Sequence, residues 1–256
     1  MATLNWDHSM INVQNLDHAI KIFSNKGVVF KRGGKHEAWG TANALGYFGI
    51  NYIELISVFD QKKSKSFSRS DAASVYDAVS DFNNHVERLN TVAIRSDDLK
   101  GTWQRLKDAG IPVGRISEGQ RLDEQNHLIK WQIFFIDGHI EGLPYPFFID
   151  WQSKDADRIA QLKEQGLIQE HPAGNLKVVK ATFEVEKPKE VAQQWAQLIE
   201  SSVIEQAGRF VVPIQERKFE FTQGKANHLI KLNFSGADDE LKNQTITIGD
   251  SELDFE

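Results

Sequence analysis

The sequence predicts an α+β fold assembled from repeated βαβββ modules, and three observations carry that prediction. Residues 4 to 59 switch between a two-residue and a helical hydrophobic period, in the order strand, helix, strands. The same unit recurs over residues 88 to 151, because Leu99 and Gly110 stand the same interval apart as Leu16 and Gly27, at an offset of 83. A third, weaker copy occupies residues 176 to 256. At 256 residues and 40% hydrophobic content the chain can bury a core without cross-links.

In the first copy, Ile11 and Val13 share one face of a strand while His8, Met10 and Asn12 share the other, since side chains alternate. Leu16, Ala19, Ile20 and Phe23 then recur at helical spacing, with Asn15 or Asp17 available as the cap and Gly27 as the left-handed stop. Strand-like runs follow at Val28 to Arg32, Asn43 to Phe48 and Tyr52 to Val58, separated by glycine-containing turns. In the second copy Val92 and Ile94 form the outer strand face, Asp97 or Asp98 caps a helix carrying Leu99, Trp103 and Leu106, and Gly110 and Pro112 end it. Strands are expected at Leu128 to Ile136 and Pro146 to Trp151. The third copy reads as a strand at Leu176 to Val185, a helix opened by Pro188, and strands around Phe210 to Phe221, His228 to Phe234 and Gln244 to Phe255. The expected units are a first module at 1–60, a linking loop and helix at 61–87, a second module at 88–151, a linker at 152–175 and a third, degenerate module at 176–256. The Pro- and Gly-containing linker is the better domain boundary of the two joints.

Composition narrows the chemistry. The absence of cysteine removes disulfides, thiolate zinc clusters, iron-sulfur centres and thiol nucleophiles, so any metal must be held by His, Asp or Glu. A net charge of -6, with no basic run longer than Lys62-Lys63-Ser64-Lys65, argues against nucleic acid as a partner. No stretch approaches the roughly 20 apolar residues that span a bilayer, and the N-terminus lacks the pattern of a signal peptide, so no membrane partner and a cytoplasmic location are expected. Neither a G-x-S-x-G elbow, a P-loop nor a G-x-G-x-x-G fingerprint occurs.

Several strings resemble the glyoxalase-like subfamily of the vicinal oxygen chelate superfamily. They are Asp7-His8 opening the first strand, the run from Gly33-Gly34-Lys35-His36 through Trp39-Gly40-Thr41-Ala42-Asn43, the run Tyr52-Ile53-Glu54-Leu55-Ile56, the run Ala93-Ile94-Arg95-Ser96-Asp97, and Pro146 to Trp151. The resemblance covers residues 4 to about 151. It implies two modules curled into a half-barrel around a divalent ion (Zn, Fe, Mn or Ni), with ligands on the first and last strand of each module. His8 and Glu54 match those positions in module one, and imidazole plus carboxylate is a normal ligand pair for such ions. The other reading is a buried His8 bonded to Asp7 or backbone with Glu54 as its ion-pair partner. In module two the offset places Thr91, a poor ligand, opposite His8, and motif matching places Asp150 opposite Glu54. Lys180 takes the His8 position in the third copy.

His36 is a ligand, a general acid or base, or a solvated side chain. Arg95 either orients an anionic substrate or pairs with a carboxylate, because an unpaired inward guanidinium is costly. Trp39, Asn43 and Trp131, with Trp151, are expected pocket residues. Two functions follow: a metal-dependent lyase or isomerase acting on a small oxygen-rich molecule through an enolate, with His36 and Arg95 catalytic, or a non-catalytic binding protein using the same cavity. Because the resemblance implies modules that work in pairs and the third copy has no partner, a homodimer joined through residues 176 to 256 is expected, the alternative being that the third copy lies over the cavity of the first two as a lid.

Overall fold

In the computed structural model, which describes residues 2–122 and 128–256, the first module runs β1 (Leu4–Asn12), α1 (Leu16–Ser24), β2 (Lys31–His36), β3 (Thr41–Phe48) and β4 (Asn51–Val58). Helix α2 (Ala73–Asn83) links it to β5 (Arg88–Ser96), α3 (Leu99–Asp108), β6 (Ser117–Leu122), β7 (Leu128–Phe134), the small hairpin β8 (His139–Ile140) and β9 (Leu143–Pro144), and β10 (Phe147–Asp150). Helix α4 (Asp155–Glu164) leads into β11 (Gly174–Val185), α5 (Pro188–Leu198), β12 (Ile204–Gln206), β13 (Arg209–Ile214), β14 (Arg217–Gln223), β15 (His228–Ala237), β16 (Thr245–Ile248) and β17 (Ser251–Phe255). Of the alternative caps, Asn15 accepts from the His18 amide and Asp98 from the Gly101 amide. Gly27 and Gly110 both take the left-handed conformation, at φ 71° and 79°.

The first two modules form one eight-stranded sheet in the order β2-β3-β4-β1-β5-β10-β7-β6. Each module contributes a mirror-ordered half, joined where β1 and β5 pair antiparallel. The sheet curls until its edge strands β2 and β6 touch, giving a nearly closed barrel. Its outer face, carrying Ile11, Leu55, Val92, Ile94 and Phe148, packs on α1, α3 and the C-terminal sheet in one apolar core. Trp6 on Phe219 and Phe48 on Phe234 join the two sheets, with ring centroids 5.2 and 4.8 Å apart.

The segments expected as linkers close the barrel's interior. Helix α2 buries Ala73, Val75, Ala78 and Val79 against Met10, Ile56 and Ala93 on the concave side. Toward the other end of the concave face, Leu162 of α4 packs with Leu45, Tyr47 and Tyr52. Helix α4 falls where an irregular linker was expected: its charged surface hides the stripe of Arg158 and Leu162. The strand expected at Val28 to Arg32 begins only at Lys31, and Val28 and Phe30 are buried ahead of it. Among the described residues no helix is long and apolar enough to cross a membrane.

In the third copy, β11, α5, β12, β13 and β14 repeat the βαβββ order of the first module. The remaining strands β15, β16 and β17 supply a helix-less counterpart, in the seven-stranded order β12-β13-β14-β11-β15-β17-β16. Parallel β11–β14 and β15–β17 pairs flank an antiparallel β11–β15 junction, as in the first sheet. The third module therefore pairs within its own chain, through the β11–β15 junction.

Candidate functional site

Four polar side chains, one from each strand of module one, converge on the barrel's interior: His8 from β1, His36 from β2, Asn43 from β3 and Glu54 from β4. Strict alternation would set Trp6 and His8 on one face. A β-bulge between them, where Trp6 pairs with Ile94 but His8 with Ala93, turns Trp6 to the outer core and lets Asp7 and His8 both serve the inner side. A second irregularity on β2, at Arg32 to Gly34, aligns His36 with Thr41. Glycine is required there, since a Cβ on Gly33 would lie 2.4 Å from Asn43 Oδ1.

Asp7 is fully buried and organises the site from behind. Its carboxylate accepts from His8 Nδ1 at 3.0 Å, Arg95 Nη1 at 3.0 Å and Trp151 Nε1 at 3.1 Å. Burial pushes its pKa up, but the His8 hydrogen bond and the Arg95 charge outweigh burial and hold the carboxyl well below the usual range. With Nδ1 committed to Asp7, His8 turns Nε2 toward Glu54 Oε2 at 3.5 Å, where it is buried without a hydrogen-bond partner. His8 is raised above its ordinary value: burial opposes the charge, and the Asp7 and Glu54 carboxylates overcome burial. Glu54 is held at about 2, since burial is outweighed by His8, by the His36 charge and by Asn43 Nδ2, which donates to Oε1 at 2.7 Å. His36 shares a hydrogen bond with Thr41 Oγ1 at 3.1 Å and sets Nε2 4.0 Å from Glu54 Oε1. Stacking on Tyr52 at 4.4 Å fixes the His8 ring.

The second module answers with carbon. Trp131 and Ile133 of β7 and Phe147 and Ile149 of β10 form the facing wall. Because Phe147 and Ile149 point inward, Asp150 faces away; it lines a separate cleft and accepts from the Gln152 amide at 2.7 Å. It is not available beside Glu54, and the residue whose strand register matches Glu54 is Phe147. Thr91 is also absent from the pocket lining, because β5 is irregular opposite Ser9 to Ile11; its hydroxyl lies 3.4 Å from the Tyr145 carbonyl. Arg95 is spent on Asp7 and, at 2.7 Å, Asp155, so the structure favours the ion-pair reading over a substrate contact in this pocket. Trp39, Asn43 and Trp131 do line it. In the C-terminal sheet Lys180 stands at the His8 position and pairs with Glu220, the register match of Glu54, at 3.3 Å.

Adjacency of Asp7 to His8 and of His36 to Gly33-Gly34 was the available signal for the convergence. The role of Asp7 as the hub, and the inward wall of Phe135 and Phe147, carried none, because bulges decide which residues face in.

The fold agrees with the comparisons. The glyoxalase-like domain family model matches residues 6–199, and the chain belongs to that family. A hypothetical protein from Staphylococcus aureus is 20% identical and superposes with TM-score 0.87 over 99% of each chain. The Mn(II)-bound glyoxalase from Novosphingobium aromaticivorans, 8% identical, aligns over 100% of this chain and 82% of its own at TM-score 0.59. A mutant 4-hydroxymandelate synthase from Streptomyces coelicolor, 11% identical, aligns over 92% of this chain and 71% of its own at TM-score 0.52. These structural likenesses concern the fold alone. No match is found among curated proteins.

Proposed function

We propose that the chain is a lyase or isomerase that moves a proton on a small oxygen-bearing molecule through an enolate, with a divalent ion held by His8 and Glu54. The observation that carries this reading is the buried His8 Nε2, without a hydrogen-bond partner and 3.5 Å from a Glu54 oxygen. Two donors sharing one ion at about 2.0 to 2.2 Å cannot stand more than about 4 to 5 Å apart, and this pair meets that limit. The buried Asp7 behind Nδ1 is the support that fixes a ligating imidazole. Among the described residues no three His, Cys, Asp or Glu side chains converge closely enough to share an ion, so water or substrate would complete the set. When bound, the ion would polarise substrate oxygen and stabilise developing negative charge.

The remaining roles fall to the chain. Asn43 holds Glu54 in place through Nδ2, with its Oδ1 buried against Gly33. His36, anchored by Thr41, is placed to take and return the proton. Helix α2 and the Trp131 wall exclude water.

Protein purified without a His tag is expected to take up Zn, Fe, Mn or Ni, read by elemental analysis and titration calorimetry. Glu54→Gln and His8→Ala should abolish uptake while leaving the circular dichroism unchanged. Uptake that survives both variants, or none in the wild type, sinks the metal assignment. A second reading, a binding protein without catalysis, is favoured by the lack of a ligand from module two among the described residues; solvent deuterium exchange into a bound hydroxyketone separates the two.

A further inference from the structure

The pocket's two halves differ in a way that specifies what it holds. Its cavity is small: the space open to the centres of water molecules is about 50 Å³. Its polar groups gather at one corner, around His8, His36, Asn43 and Glu54, and the rest of the wall is apolar and rich in rings. Trp131 and Trp151 lie 5.6 Å apart at 54°, and Trp39 stands edge-on to Phe135 at 6.2 Å. The Trp131 indole is seated against β6 at Gly119, where a Cβ would come within 2.1 Å of its Nε1. Among the described residues no lysine or arginine lines the cavity. Arg95, the guanidinium bonded to Asp7 behind the site, is held between two carboxylates and faces the other cleft.

We infer that the ligand is compact and uncharged, with a flat ring body set among Trp39, Trp131 and Phe147 and a single oxygen-bearing end directed at His8 and Glu54. This rests on the proposed function for the oxygen end only. Ring faces and edges stack favourably on aromatic walls and lose water-exposed apolar area. A phosphate or other multiply charged tail would enter an apolar cavity where, among the described residues, no lysine or arginine lines the wall to meet it.

The test uses three probes that share an α-hydroxyketone end: 2-hydroxyacetophenone, which adds a neutral ring; hydroxyacetone, which lacks one; and dihydroxyacetone phosphate, which adds charge. Binding to the full-length protein is read by calorimetry and tryptophan fluorescence. 2-Hydroxyacetophenone should bind at least about tenfold more tightly than hydroxyacetone, as burial of a ring predicts. Equal affinities, tighter binding of the phosphate, or binding by none of the three would overturn the inference. Trp131→Leu and Trp39→Leu should each weaken the ring compound while leaving hydroxyacetone unchanged; equal loss for both probes, in variants with native circular dichroism, counts against it. Deuterium exchange at the probe methylene, followed by NMR on the same samples, keeps the two proposals apart. Ring-selective binding without exchange supports this inference and defeats the proton-transfer function. Exchange with no ring preference does the reverse.

Discussion

Replacing Asp7 with alanine is expected to lower stability by about 3 to 5 kcal/mol, the cost of breaking a buried ion pair by removing one partner. Three donors lose their acceptor at once: His8 Nδ1, Arg95 Nη1 and Trp151 Nε1. Arg95 is buried, and although Asp155 still meets Nη2, that aspartate is largely exposed and cannot replace a fully buried partner. Arg95→Met should also destabilise, and the Asp7→Ala/Arg95→Met double variant should lose less than the sum of the two, since the pair is in contact. Urea unfolding midpoints measure all three. Additive losses, or a loss under about 1 kcal/mol for Asp7→Ala, would show that this network does not bear on the fold. The same experiment discriminates between the two sequence readings of Arg95, because a residue that only orients substrate would leave the midpoint unchanged.

How much of this was legible in the sequence depended on whether a residue's place follows from period or from local geometry. The first-strand face with Ile11 and Val13 outward, the helix caps Asn15 and Asp98, and the module offset all follow from period and capping chemistry, and the structure has them. His8, His36, Asn43, Glu54, Trp39 and Trp131 share one pocket, as the module pattern suggested. Thr91, placed by offset, and Asp150, placed by motif matching, both lie outside the pocket, because β5 is irregular near Thr91 and β10 turns Ile149 inward. The closing role of α2 and α4 was hidden too. Their apolar stripes are short, and nothing in a linker's composition says that it folds back into the concave face of the sheet it connects. The fourth, helix-less half of the C-terminal sheet was concealed because β15 to β17 read as the end of the third module.

Two histidines at the junction of the sheets should make the fold lose stability as pH falls below about 6.5, before the pocket carboxylates titrate. His228 begins β15 nearly buried, and its Nδ1–H donates to the Leu229 carbonyl at 3.1 Å. Burial, with the neighbouring Arg88 charge, pushes its pKa from 6.5 down to about 4. Between these values the unfolded chain binds the proton and the folded one refuses it, so stability is whole above 6.5 and drains away toward pH 4. The full effect is roughly 3 kcal/mol, of which about 2 kcal/mol should be gone by pH 5. His171 acts in the same direction, its pKa lowered by burial. Its Nε2–H donates to the Tyr47 carbonyl at 2.8 Å while Nδ1 accepts from the Val29 amide at 2.9 Å, so a second proton would break the latter bond. The site does not mask this window. His8, raised above 6.5, is already protonated in both states below it, and Glu54 changes only between 4.5 and about 2. Urea unfolding at pH 7.5, 6 and 5 should show the decline, and His228→Leu should flatten it. A wild type equally stable at pH 7.5 and 5 would show that His228 accepts its proton in the folded state.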